Sequence, residues 1–229
     1  MAPLSFSKTP YLHISLFGFS KIFMGIVLHF FLGFITSFLG TLFPSMLSMT
    51  TVKISIKETQ KKAIYFAAGV SLIVIIQAYI AVGFSKILID NPDYIMTLQQ
   101  FGTVVFAALS VFFFIKANRI KKKKLSKNNR KIKGFVSGLL FSSLNMFSIP
   151  FYFGVTSTLV MMHWYEFNMI NNMVFVLGSA LGTFSLLFLY TSLAKKIEKK
   201  IERLANQMDL ILGIITGLVV IINLVNFLL

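Results

Sequence analysis

Two groups of polar residues sit inside long apolar stretches of this 229-residue chain. Gly25, His29, Gly33, Ser37, Thr41 and Ser45 recur every four residues, so on a helix they fall along one slowly drifting face. Thr36, Gly40, Pro44 and Ser48 run beside them, and further along Ser142, Ser143, Asn145 and Ser148 precede Pro150. A proline inside a helix lacks an N–H and displaces the bond to the carbonyl four residues earlier. That frees the carbonyl of Gly40 before Pro44 and of Met146 before Pro150. In hydrocarbon such a carbonyl is tolerated where it faces protein or a wet cavity. Hydroxyls, an amide and freed carbonyls suit a small polar or zwitterionic solute held by hydrogen bonds. The candidate binding residues are Thr36, Ser37, Gly40, Thr41 and Pro44 on one side, with Ser142, Asn145 and Ser148 on the other. The same pattern also fits tight helix packing through small residues, or simple kinks without ligand contact.

His29 and Gln77 are secondary candidates. His29 is either an interfacial side chain or a proton or ligand contact, and Gln77 is either an interhelical hydrogen bond or a solute contact. Asn171, Asn172, Ser179, Thr183 and Ser185 give another stretch some polarity, although Gly178-x-x-x-Gly182 there reads first as packing. Gly213-x-x-x-Gly217 reads the same way, toward a neighbouring helix or a second copy. Asp209 suits a helix start beside basic residues.

Other chemistry lacks its residues. The chain has no Cys and seven acidic residues (Glu58, Asp90, Asp93, Glu166, Glu198, Glu202, Asp209), all in connections or at the ends of apolar runs. A divalent metal site therefore has no carboxylate ligands in mid-membrane, and a proton relay through Asp or Glu has no members. No nucleophile–base pair and no phosphate-binding Gly loop can be assembled. The expectation is a protein without cofactor or metal, and not an enzyme.

The elements that must position these groups are membrane helices. Hydrophobic residues make up 56% of the chain and charged residues only 13%, about half the charged fraction of roughly 25% in an average soluble protein. Crossing a bilayer takes roughly 20 apolar helical residues, and such stretches lie at about 22–49, 63–89, 98–116, 134–160, 168–194 and 207–229. Six spans are expected. Of the 22 Lys and Arg, nineteen fall in the connections at 50–62, 116–133 and 195–206, and only Lys8, Lys21 and Lys86 lie on the other side. The positive-inside rule puts those connections in the cytoplasm and both termini outside. The net charge of +15 thus reads as insertion bias and contact with anionic lipid headgroups, not as a nucleic-acid surface. Residues 1–21 lack the pattern of a cleaved signal and are expected to stay at the outer surface.

Three pairs of segments repeat in order. Gly33-Phe34-Ile35-Thr36-Ser37 resembles Gly134-Phe135-Val136-Ser137-Gly138, a register that sets Pro44 opposite Asn145. Phe66-x-x-Gly69-x-x-Leu72 matches Phe175-x-x-Gly178-x-x-Leu181, and Gly102 can be set against Gly213. The expected organisation is an outer segment (1–21), a three-helix repeat (22–116), a basic cytoplasmic connection (117–133) and a second three-helix repeat (134–229). Three spans per repeat is odd, so the second half is inverted, a plan that places transporter sites near the midplane where the halves meet.

Gly33 through Pro44-Ser45-Met46, the basic connection followed by Ala67-Ala68-Gly69, and Gly134-x-x-x-Gly138 leading to Leu144-Asn145 together resemble the lysine exporter (LysE) family of bacterial amino-acid exporters. That family's first-span turn is Pro-Gly-Pro-like and only Pro44 of it is present; its Asn-Pro pair is here Asn145 followed by Met146. The resemblance implies an exporter of amino acids or similar small metabolites in the bacterial cytoplasmic (inner) membrane, driven by an ion gradient. Pro44 and Asn145 would mark the kinked elements beside the solute path. Its expected partners are a small-molecule solute and membrane lipids, with a homodimer or membrane-protein partner as a further expectation. The alternative is a non-transporting subunit or anchor of an envelope assembly that keeps the exporter fold.

Overall fold

A computed structural model of the chain describes residues 11–42, 45–91, 134–145 and 147–228, with short helical stretches between 103 and 115. Six helices account for most of it: α1 (Tyr11–Leu42), α2 (Met46–Lys57), α3 (Gln60–Asp90), α4 (Gly134–Ser143), α5 (Ser148–Met161) and α6 (Met169–Leu228). Three are long and apolar enough to cross a membrane (Phe23–Leu42, Gln60–Asp90 and Met169–Glu198), and α4 with α5 makes a fourth crossing if the bent pair is one span. Among the described residues all regular structure is helical, and the chain is a multi-pass membrane protein.

The first polar group runs along α1 to a helix break at its end, and the second surrounds another break. α1 stops at Leu42, and Ser45 caps α2 by accepting the Ser48 N–H at 3.4 Å. The stretch expected as one span over 22–49 followed by a loop is therefore two helices, with α2 reaching to Lys57. A tight turn at Glu58 and Thr59 follows, where the Thr59 hydroxyl accepts the Lys62 N–H and Lys62 pairs with Glu58 at 2.6 Å. In the second half α4 stops at Ser143 and α5 starts at Ser148, bent by 65°. The register that pairs Gly33 with Gly134 also pairs Leu42 with Ser143, the last residues of α1 and α4.

The connection expected at 195–206 is helical instead, and the fifth and sixth expected spans are one continuous helix of 60 residues, about 90 Å long at 1.5 Å per residue. Its sequence there, Lys195-Lys196-Ile197-Glu198-Lys199-Lys200-Ile201-Glu202-Arg203-Leu204-Ala205, consists of good helix formers without a Gly or Pro. Charge had marked the segment as a connection, but nothing in it breaks a helix. About half of the third expected span, 98–116, lies outside the described residues. Its described part packs on the end of α6: the Ser110 hydroxyl donates to the Gly213 carbonyl at 3.0 Å and the Asn223 amide to the Thr103 hydroxyl at 3.1 Å. Gly213 and Gly217 thus face a helix of the same chain; Ser110 lies against Gly217.

In lipid the hydrophobic effect does not drive helices together, so close backbone packing must. Two seams provide it. Between α1 and α6, a Cβ at Gly33 would collide with the carbonyl oxygen of Phe175, and Cβ atoms at Gly178 and Gly182 with those of Phe30 and Phe34. Between α3 and α4, a Cβ at Gly138 would collide with the carbonyl oxygen of Phe66, and one at Gly69 with that of Phe135. Phe66 and Phe175, matched in the repeat, are both fully buried and hold corresponding places in the two seams.

Candidate functional site

α1 carries its polar stripe inward. His29, Gly33 and Ser37 are buried, whereas Gly25, Gly40, Thr41 and Ser45 are half-buried. The Ser37 hydroxyl lies 2.8 Å from the Tyr152 hydroxyl and 2.7 Å from that of Thr183, so α1, α5 and α6 meet in a buried cluster of three hydroxyls. Thr36 turns its hydroxyl back to the Leu32 carbonyl at 2.6 Å, which occupies its donor within the helix. Gly40 lies directly under the ring of Phe151 on α5. At the end of α1 the Tyr190 hydroxyl donates to the Leu42 carbonyl at 2.7 Å. One of the carbonyls orphaned by the break is thereby satisfied. Pro44 itself lies outside the described residues.

The second group gathers at the α4–α5 break. The Asn145 N–H donates to the Ser142 carbonyl at 3.0 Å, and the Asn145 side-chain amide donates to the Ser148 hydroxyl at 2.9 Å. Ser142 is fully buried and its hydroxyl donates to the Val70 carbonyl at 3.3 Å. The Ser142 carbonyl also receives the side-chain N–H of Gln77 at 3.0 Å, tying α3 to the last turn of α4. Pro150 is the third residue of α5, in the first turn, where a missing N–H costs nothing. The break therefore falls before it, around Asn145, rather than as a kink inside a continuous span. Met146, whose carbonyl was expected to be freed, lies outside the described residues.

The first and fourth expected spans do meet, through α5: Ser37 with Tyr152, and Gly40 with Phe151. Ser142 and Gln77 make a separate cluster with α3. Tyr152 was not among the sequence candidates, and Thr183 had been read only as helix polarity. A further hydroxyl link, Ser85 to Thr156 at 2.6 Å, joins α3 to α5. Two buried polar atoms, Gln77 Oε1 and Ser179 Oγ, have no hydrogen-bond partner among the described residues. Ser179 sits one turn before Thr183 on α6.

His29 is held on both nitrogens. Nδ1 is 2.7 Å from the Gly25 carbonyl and so donates, and Nε2 accepts the Glu166 N–H at 3.2 Å. Its ring lies edge-on to Tyr165, with centroids 4.8 Å apart. These bonds make it a pin between α1 and the 162–168 turn. Burial pushes the Tyr165 hydroxyl well above the usual tyrosine range, so it remains a donor, 3.0 Å from Asn172 Oδ1.

An open groove of about 750 Å³ lies away from the break, between α1, α3 and α6, lined by Phe30, Leu72, Ile75, Leu181 and Phe184 among others. Ser71 is the polar residue on its wall, and its hydroxyl is spent on the Ala67 carbonyl at 2.9 Å. Such walls suit an acyl chain rather than a polar solute.

No curated protein and no solved structure matches the chain. A family model, LysE type translocator, matches residues 38–228, a stretch that takes in both helix breaks, the Ser142–Asn145–Ser148 group and Gln77. Members of that family are membrane transporters that export amino acids or related metabolites. With most of its length matched, the chain belongs to the LysE type translocator family.

Proposed function

We propose that the protein is a secondary transporter of the bacterial cytoplasmic membrane that exports amino acids or similar small polar metabolites by alternating access. The observation that carries this reading is the broken helix at Asn145. In the bundle, α4 ends and α5 begins around a half-buried amide flanked by the buried Ser142 and Ser148. Broken helices with exposed backbone dipoles are how transporters of this general plan hold solutes near the midplane. The break that ends α1 falls at the corresponding register, which supports two halves of related plan, although α6 runs on unbroken where a return crossing was expected. On this reading the N-terminus lies outside, and the basic segments 50–62, 117–133 and 195–206 face the cytoplasm. Thr41 lines the path from the first half, and Ser142, Asn145 and Ser148 from the second. Ser37 and Gly40 shape it by fixing α5 against α1. The exporter fold retained as an anchor or subunit is the competing reading, favoured by the apolar walls of the groove.

Counterflow into proteoliposomes separates the two. Vesicles loaded with pooled unlabelled amino acids should accumulate a labelled member of the pool, and Asn145→Leu should abolish that accumulation while the protein still elutes as a folded species. Normal flux in Asn145→Leu would remove Asn145 from the path. No flux from correctly inserted wild type, together with a stoichiometric co-purifying protein, would favour the subunit.

A further inference from the structure

The apolar groove of about 750 Å³ between α1, α3 and α6 is walled by residues of the three long membrane-spanning helices. Of its lining side chains, Phe31, Leu72, Leu177 and Leu181 are exposed, and an apolar face exposed at that depth meets acyl chains rather than water. Two of its walls lead in register to a cation. On α3, Leu72 stands eleven residues after Lys61, about three turns, so the two share a face. On α6, Lys195 stands eighteen residues after Leu177, about five full turns, and again on one face. Both lysines are exposed. Their helix ends lie on the same side of the bundle, because the Ser55 hydroxyl, just ahead of α3, donates to the Thr191 carbonyl at 3.0 Å, one turn before Lys195. Of the nearby carboxylates, Glu58 is paired with Lys62 at 2.6 Å, and Glu198 stands about 60° around α6 from the line through Leu177 and Lys195.

We propose that the groove is a specific site for an anionic phospholipid, with one acyl chain between α1, α3 and α6 and the phosphate held by Lys61 and Lys195. Along the helix axes Lys61 lies about 10 Å beyond Ala68, and Lys195 about 16 Å beyond Phe184. That interval is filled by the glycerol and headgroup of the lipid and by the lysine stems, which lie along apolar surface and carry their charge to the interface. Contact with the walls is common to every phospholipid, so the two cations decide which headgroup is kept. A chain seated there bridges α1 and α3 over α6 and stabilises the bundle. The site is independent of whether the protein moves a solute.

Fluorescence quenching by phospholipids with brominated acyl chains tests the site. The chain's single tryptophan, Trp164, is replaced by Phe, and Leu72→Trp places a reporter in the groove. Leu39→Trp places one at an exposed position of α1 outside it. In mixed vesicles, brominated phosphatidylglycerol should quench Leu72→Trp at about tenfold lower mole fraction than brominated phosphatidylcholine. Leu39→Trp should show no such preference, and Lys61→Gln with Lys195→Gln should abolish it at Leu72→Trp. The same preference at both positions would mean general contact with the bilayer and would overturn the proposal. So would a preference that survives the lysine changes, or no quenching of Leu72→Trp by either lipid, as when a second copy covers the groove. A readout that leaves the groove intact is the melting temperature of the detergent-purified protein. Phosphatidylglycerol should raise it more than phosphatidylcholine in wild type, and the two should act equally on the Lys61→Gln, Lys195→Gln protein. Equal effects of the two lipids on wild type would also overturn the proposal.

Discussion

The hydroxyls of Ser37 and Tyr152 lie 2.8 Å apart in the interior of the bundle, although 115 residues separate them in sequence. Ser37 lies on α1 and Tyr152 on α5, the helix that follows the break. Thr183 completes the cluster from α6. A hydroxyl in this setting has no water to fall back on, so each member depends on the others.

Tyr152→Phe keeps the ring and removes the shared hydroxyl. Loss of one such bond should cost about 0.5–1.5 kcal/mol, seen as a lower melting temperature of the purified protein. Ser37→Ala in the Tyr152→Phe background should cost less than Ser37→Ala alone. Strict additivity of the two would show that they do not interact.

Glycines divide into two kinds. Gly33 and Gly138 face carbonyl oxygens, whereas Gly25 and Gly83 have nothing within 4 Å of an added Cβ. Alanine at Gly25 or Gly83 should leave stability unchanged or raise it by up to about 1 kcal/mol, because alanine favours the helix. Alanine at Gly33 or Gly138 should lower it by about 1–3 kcal/mol through overpacking. Thermal unfolding of the four variants checks the contrast in sign.

Tyr165 predicts an alkaline limit. Its hydroxyl is held above the usual tyrosine value by burial, so the folded state keeps a proton that the unfolded state releases near pH ~10. The stabilisation is fully present below that pH and declines as pH rises above it. Tyr165→Phe should flatten the loss of stability above pH ~10, measured by melting temperature across an alkaline series; an unchanged slope would assign the loss elsewhere.

The chain contains no Cys, so single cysteines report topology cleanly. Lys61→Cys and Glu166→Cys should react with a membrane-impermeant maleimide from opposite faces, the first only after the cytoplasmic side is opened. Labelling of both from one side would overturn the proposed orientation.

Much of the architecture is visible in residue order because lipid permits few solutions. The apolar runs disclose the long helices, Pro44 marks the end of α1 to within two residues, and the Gly33 and Phe66 repeats name the seams. What escaped has physical reasons. Pro150 suggested a kink, but a proline is comfortable in a first turn, so the chain broke earlier at Asn145. The Lys-rich run at 195–200 looked like a connection, yet lysine and glutamate favour helix. Tyr152 carries no local sign of its role, since an aromatic in an apolar stretch is unremarkable until its partner arrives from another helix. The α1 stripe fits packing or packing with a cavity, and in the bundle Ser37 is the member whose hydroxyl meets two other helices, α5 and α6.

The glycine seams also decide which parts can move as solid pieces. Each joins helices distant in sequence, α1 to α6 and α3 to α4, with backbone against backbone at the glycine positions. Sliding either seam would drive a Cα into a carbonyl oxygen, so its two helices must travel together. Each seam is thereby fixed in register at the level of the backbone, a constraint that no change of rotamer can relieve.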